Sequence, residues 1–161
     1  MTSNDPSQIL IALGANMPSR AGPPADTLKA ALSALEMQGV AILKVSSFIE
    51  TAAWPDPAQP PFTNAAASLR TSLQPLALLQ LLHAIETAYG RVRSHPNAPR
   101  TLDLDLLAHG GTVLTGESLT LPHPRLAQRR FVLQPLAEIA PAWRHPVTGL
   151  TPGEMLAALL D

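Results

Sequence analysis

The chain has 161 residues, a formal net charge of −1 and 46% hydrophobic residues, enough for one domain with a proper core and short for two. Near-neutrality gives no bulk attraction to nucleic acid or to an anionic membrane. Cysteine is absent, which excludes disulfides and thiol chemistry and fits a reducing compartment.

The N-terminus has no basic stretch ahead of its short apolar run, and no run approaches the ~20 apolar residues of a membrane helix. The expectation is a soluble, cytoplasmic protein. In chain order, residues 8–13 read as a strand ending in the turn Gly14-Ala15-Asn16. Asp26 is the expected N-cap of a helix to Met37, with Leu28, Ala31, Leu32 and Leu35 as its apolar stripe and Gly39 closing it. Residues 40–51 read as one long second strand, 52–61 as a proline-rich loop and 62–69 as a third strand. Pro75 opens a helix to Tyr89 with a buried stripe of Leu78, Leu82, Ile85 and Tyr89, stopped by Gly90. His83 and Glu86, spaced i, i+3, share a face of that helix and by themselves read as a surface contact.

Residues 90–99 form a second loop, and a strand carrying Asp103 and Asp105 follows. Gly110-Gly111 turns into two short β pieces at 112–114 and 119–121, then a helix runs over 128–139. A last helix spans 151–160, with Thr151 as N-cap, Pro152 in the first turn and Glu154 completing a capping box. The 17 prolines punctuate loops and interrupt no periodic segment. The order predicts an α+β, ferredoxin-like βαββαβ sandwich. Its sheet has four antiparallel strands with two helices on one face, a hairpin and C-terminal helices are added, and 1–161 is a single domain.

The chemistry centres on Arg100-Thr101-Leu102-Asp103-Leu104-Asp105-Leu106. Alternation in a strand sends Leu102, Leu104 and Leu106 to one face and Asp103 and Asp105 to the other, about 6–7 Å apart. Two carboxylates on one face are either merely solvated or gathered for a cation, and aspartate is an unfavourable strand residue. Six of the nine arginines fall between positions 91 and 130, and the guanidinium fork matches phosphate oxygens. Together they form the inventory of a magnesium–phosphate site. His123, fixed between two prolines, is a candidate phosphate contact. Phe62 and Asn64 lie on one strand face and could stack on, and hydrogen-bond to, a flat heterocycle. No P-loop or protein-kinase motif is present. At this level another Asp-x-Asp metal-dependent transferase, or a binding module without turnover, fits as well.

Larger stretches narrow the choice. Ile11-Ala12-Leu13-Gly14-Ala15-Asn16, Val45-Ser46-Ser47-Phe48, Gly90-Arg91-Val92-Arg93, Pro99-Arg100-Thr101-Leu102-Asp103-Leu104-Asp105, Leu121-Pro122-His123-Pro124-Arg125 and Arg129-Arg130-Phe131 resemble the 6-hydroxymethyl-7,8-dihydropterin pyrophosphokinases of folate biosynthesis. The resemblance covers nearly the whole chain and implies pyrophosphate transfer from ATP to the pterin hydroxymethyl group. It implies that Asp103 and Asp105 hold two Mg²⁺ ions, and that Arg91, Arg100, Asp103, Asp105 and Arg129 carry catalysis. It assigns His83, Glu86, Arg93, Arg100, Leu106, Thr120, His123 and Arg129 to ATP, and Thr51, Trp54, Phe62, Asn64 and Phe131 to the pterin. The partners implied are these small molecules alone, with no nucleic acid or membrane, and a monomeric enzyme. The chain departs from the family pattern at Ala15, at Ala52-Ala53, at Phe62 in place of a common tyrosine, and at Asn97, where a lid tryptophan is usual.

Overall fold

The computed structural model describes residues 8–53, 57–91 and 100–159. Strand β1 (Ile9–Ala15) is buried along its entire length, as its unbroken apolar run demands. It pairs antiparallel with β4 (Phe62–Arg70) on one side and β5 (Asp103–His109) on the other. Strand β2 (Ala41–Val45) adds to the outer side of β4, and β3 (Ile49–Thr51) pairs with the other end of β4, giving a five-stranded sheet. The single second strand expected over 40–51 is therefore two. Side-chain bonds mark the break: Ser46 Oγ accepts from Ala66 N–H at 2.9 Å and donates to Ser47 O. The Glu138 carboxylate then accepts both Ser47 N–H, at 2.8 Å, and Ser47 Oγ–H, at 2.5 Å. Hydroxyls that bond nearby backbone compete with the strand ladder.

Helices α1 (Pro24–Met37) and α2 (Pro75–Ala88) cover one face of the sheet; α3 (Arg130–Ile139) and α4 (Pro152–Ala157) cover the other. The period of two along β1 decides this: Ile9, Ile11 and Leu13 pack with Leu28, Leu35, Leu78 and Leu82. Leu10 and Ala12 pack with Val132, Leu133 and Leu136. Truncating a fully buried leucine such as Leu35 or Leu82 costs about 2–5 kcal/mol by the general rule for cores.

Several expected boundaries move. Helix α1 is entered from Pro23 with Pro24 in its first turn, so Asp26 lies inside that turn and is not the N-cap. The 128–139 helix begins only at Arg130, after a 3₁₀ turn at Leu126–Gln128. Pro135 lies inside α3, against the expectation that prolines stay in loops; the apolar face of α3 on the sheet outweighs the hydrogen bond that proline cannot donate. The hairpin is β6 (Leu114–Thr115) with β7 (Thr120–Leu121). The Thr151–Glu154 capping box is present as read, though α4 ends at Ala157. Arg20 ties down the C-terminus of α2, its Nε donating to Ala88 O at 3.1 Å and its guanidinium lying 4.4 Å from the Tyr89 ring centroid. Gly90, at φ +87°, then lets the chain leave the helix toward Arg91.

Candidate active site

Strand β5 places the acids. Leu102, Leu104 and Leu106 are 0–2% exposed in the core beneath α1 and α2, while Asp103 and Asp105 face a cleft on the other side of the strand. The cleft has two lobes. The larger, about 810 Å³, lies between the sheet and the start of α3 and is lined by Thr51, Phe62, Asn64, Arg125, Gln128 and Phe131, over a floor that includes Ala12 and Gly14. The smaller, about 360 Å³, is lined by His83, Glu86, Arg91, Leu106, Thr120 and His123. Arg100, Asp103, Asp105 and Arg129 line both. Arg100 and Arg129 apart, the described residues that sequence reading divides between heterocycle and nucleotide line different lobes, with the acids at the junction. Trp54, Arg93 and Asn97 lie outside the described residues. Sequence reading assigned no individual role to Asn16, Arg125 or Gln128; Asn16 and Arg125 lie inside motifs that carried the resemblance, and Gln128 held no signal.

The junction is a charge network. Arg91 Nη1 donates to Asp103 Oδ1 at 2.6 Å and to Glu86 Oε2 at 2.7 Å. Arg100 Nη1 donates to Asp103 Oδ2 at 3.0 Å. Glu86, expected at the surface, is 1% exposed and also accepts Leu104 N–H at 2.7 Å. It therefore holds both Arg91 and the strand between the two aspartates. Burial would lower the Arg91 pKa, but Asp103 and Glu86 overcome it and hold the guanidinium above its ordinary value. Among the described residues Asp105 forms one ion pair, with Arg129 at 3.7 Å. Desolvation and then the negative field of Asp103 push its carboxyl up to about 7, with Glu86 adding to the rise and Arg129 and Arg100 opposing it. Asp105 is short of positive charge among the described residues. Among the described residues no third histidine or acid joins this pair as a metal cluster, so the donor set is two carboxylates. That set suits Mg²⁺, which is usually held by one or two carboxylates together with substrate phosphates.

His123 is fixed from both sides. Its backbone N–H donates to Leu107 O at 2.8 Å, and its Nδ1 accepts Arg125 N–H at 3.1 Å. The neutral ring consequently carries its proton on Nε2. Burial first, and then Arg129 and Arg125 against the opposing Asp103, lower its pKa to about 4. A histidine depressed below its unfolded value stabilises the fold above pH 6.5, and that contribution is lost as pH falls from 6.5 toward 4. Thermal melts across pH 4–8 should show the chain losing stability below pH 6.5 relative to His123→Gln, with no change in the difference above it.

At the other end, Asn64 Nδ2 donates to Thr51 Oγ1 at 2.7 Å, which joins β4 to β3 inside the large lobe. Asn64 pairs with Gly14 across the strands, and a Cβ on Gly14 would lie 2.9 Å from Asn64 Oδ1. Glycine is required there by close approach. Gly14→Ala should displace the Asn64 amide and raise the KM for the ligand of this lobe by about tenfold, the order expected for one misplaced hydrogen-bonding group. The KM of the other substrate should barely move.

A sheet that presents paired carboxylates between two arginine-lined lobes defines a phosphoryl-transfer enzyme by its inventory. The comparisons narrow that class. The model of the 7,8-dihydro-6-hydroxymethylpterin-pyrophosphokinase family matches residues 10–141. A Synechocystis protein described as 2-amino-4-hydroxy-6-hydroxymethyldihydropteridine pyrophosphokinase is 43% identical over 88% of this chain and 71% of its own. A protein of that description from Pseudomonas aeruginosa is 40% identical over 94% of this chain and 91% of its own. The chain also matches folic acid synthesis protein fol1 of Pneumocystis carinii at 37% identity, spanning 21% of that protein. Among solved structures, Plasmodium falciparum HPPK-DHPS superimposes with a TM-score of 0.72 at 14% identity, over 94% of this chain and 43% of that one; this likeness speaks for the fold. The chain belongs to the 7,8-dihydro-6-hydroxymethylpterin-pyrophosphokinase family. It is a pyrophosphokinase, a transferase of folate synthesis.

Proposed function

We propose that the chain transfers the diphosphate of ATP to the hydroxymethyl group of 6-hydroxymethyl-7,8-dihydropterin and releases AMP. The observation that carries this reading is the meeting of two differently built lobes at Asp103 and Asp105. The large lobe takes the pterin: Phe62 and Phe131 stack on its faces, and Asn64, held by Thr51, reads its amino-pyrimidinone edge. The small lobe takes the nucleotide, with the Nε2–H of neutral His123 and the guanidinium of Arg129 on its phosphates. Thr120, His83 and Leu106 line its adenosine side, and Glu86 acts through Arg91. Asp103 and Asp105 would hold two Mg²⁺ ions, which when bound offset the charge of the phosphate oxygens.

The pterin hydroxyl oxygen attacks the β-phosphorus in line. The bond from the β-phosphorus to the oxygen shared with the α-phosphorus breaks, that oxygen leaves on AMP with the bonding pair, and the hydroxyl proton passes to the leaving phosphate oxygen or to water. Arg91 and Arg100 stabilise the charge that develops. The chain supplies position and charge and needs no strong base, as is usual in phosphoryl transfer. The fold is read as ferredoxin-like, with β2 and β3 as halves of one edge strand, in a single domain working as a cytoplasmic monomer. Among the described residues no helix is long and apolar enough to cross a membrane.

The test is AMP formation from ATP with and without the pterin and Mg²⁺. AMP made only with both establishes the reaction. ADP in its place means that a different bond is cut, and the reading fails.

A further inference from the structure

Asn16 directly follows β1, is 2% exposed, and has no part in the chemistry above. Its backbone N–H donates to Arg100 O at 3.0 Å, its Oδ1 accepts Arg100 N–H at 2.8 Å, and its Nδ2 donates to Pro60 O at 3.1 Å. Met17 N–H adds a second bond to Arg100 O at 3.2 Å. Pro60 stands two residues before Phe62, a wall of the large lobe. Arg100 stands three residues before Asp103 and lines both lobes. One buried carboxamide thus joins the backbone entering the wall of one lobe to the backbone carrying the cation between them. A carboxamide donates at one end and accepts at the other, whereas a carboxylate accepts alone. With both ends engaged and the residue buried, a shift at Pro60 must either break a hydrogen bond or move Arg100.

We propose that Asn16 is a positioning residue that couples the two lobes of the cleft. Pterin bound against Phe62 sets the place of Arg100 through Pro60 and Asn16. Nucleotide bound beside Arg100 acts back on the pterin through the same bonds, and by the same factor, since coupling between binding sites is reciprocal. The proposal rests on the pterin and nucleotide assignment given above. A merely structural asparagine predicts something else: replacing it would lower stability and shift both affinities, but leave their mutual dependence intact.

The experiment measures the pterin Kd by calorimetry with and without Mg²⁺ and α,β-methylene-ATP, in the unaltered chain and in Asn16→Asp. The aspartate keeps the acceptor for Arg100 N–H and loses the donor to Pro60 O. In the unaltered chain the nucleotide should tighten pterin binding by about tenfold, within the usual range for coupled sites. In Asn16→Asp that ratio should fall to about one, with a far smaller change in the pterin Kd measured alone. Amide hydrogen exchange of the unaltered chain serves if the variant does not fold: pterin alone should slow exchange at Arg100 N–H. An undiminished ratio in Asn16→Asp, or an Arg100 amide indifferent to pterin, overturns the coupling. A chain that binds no pterin at all overturns the functional assignment together with it, whereas AMP formation with undiminished coupling overturns only the role of Asn16.

Discussion

Asp105→Asn should abolish AMP formation while making the ligand-free protein more stable. The loss follows from the role assigned to the pair. The charge stabilisation a metal offers a transferring phosphoryl group is worth several kcal/mol, which at 1.4 kcal/mol per tenfold is about 10³-fold or more in rate. The gain follows from the site itself, because desolvation and the field of Asp103 push the Asp105 carboxyl up to about 7. A group whose folded pKa is raised contributes stability below its unfolded value of about 4 and loses it as pH rises through 7. Ionised Asp105 therefore works against the ligand-free fold above pH 7, and an uncharged isostere relieves it. Thermal melts at pH 8 without metal should place the variant above the unaltered chain, and addition of Mg²⁺ should narrow the gap. A variant that loses activity by unfolding would melt lower, so the two explanations separate in one experiment.

Glu86→Ala should be the most destabilising single change in the cleft. The side chain is 2% accessible and pairs at 2.7 Å with Arg91, itself 11% accessible. Taking one partner from a buried ion pair costs about 3–5 kcal/mol when the other is left unpaired; Arg91 keeps Asp103 at 2.6 Å, so the cost here lies toward the lower figure. The Leu104 amide loses its acceptor as well. For a domain of this size the melting temperature should fall by on the order of 10 °C. Glu86→Gln retains an acceptor for Leu104 N–H but leaves Arg91 with Asp103 as its charged partner of the two. It should fold nearly as well and still raise the KM for ATP, because Arg91 is then free to tilt. Equal kinetics in Glu86→Gln and the unaltered chain would remove Glu86 from the positioning of Arg91.

How much of this was legible differs from residue to residue. The alternation of leucine and aspartate over 102–106 is a property of the strand alone, so the facing of Asp103 and Asp105 was readable and held. The helices α1 and α2 were readable in their apolar stripes, and the α4 capping box was readable in Thr151 and Glu154. The break between β2 and β3 was not. It depends on Glu138, 91 residues away from Ser47, accepting two donors across the edge of the sheet, and no local pattern carries a bond of that span. Helix periodicity alone put Glu86 at the surface for the same reason, while the resemblance assigned it to the ATP site. A carboxylate on a helix face reads as solvated until the partners that compensate its burial, Arg91 and Leu104 N–H, are brought against it.

By itself the sequence determined the periodicities, and these settle which face of each strand and helix is apolar. It also determined the set of acids, arginines, aromatics and amides, whose motifs carried the family. Tertiary structure alone decided how that set divides. Antiparallel pairing of β1 with β4 and β5 brings Gly14 against Asn64 and against Asp103, so the heterocycle end and the acid end share one floor. Packing of α3 on the other face of the sheet then puts Arg129, the residue ahead of that helix, 3.7 Å from Asp105. The physical reason is range. Strand alternation and helix periodicity act over a few residues, whereas ion pairs, buried amides and the shift of a carboxyl to about 7 depend on groups that only folding brings together.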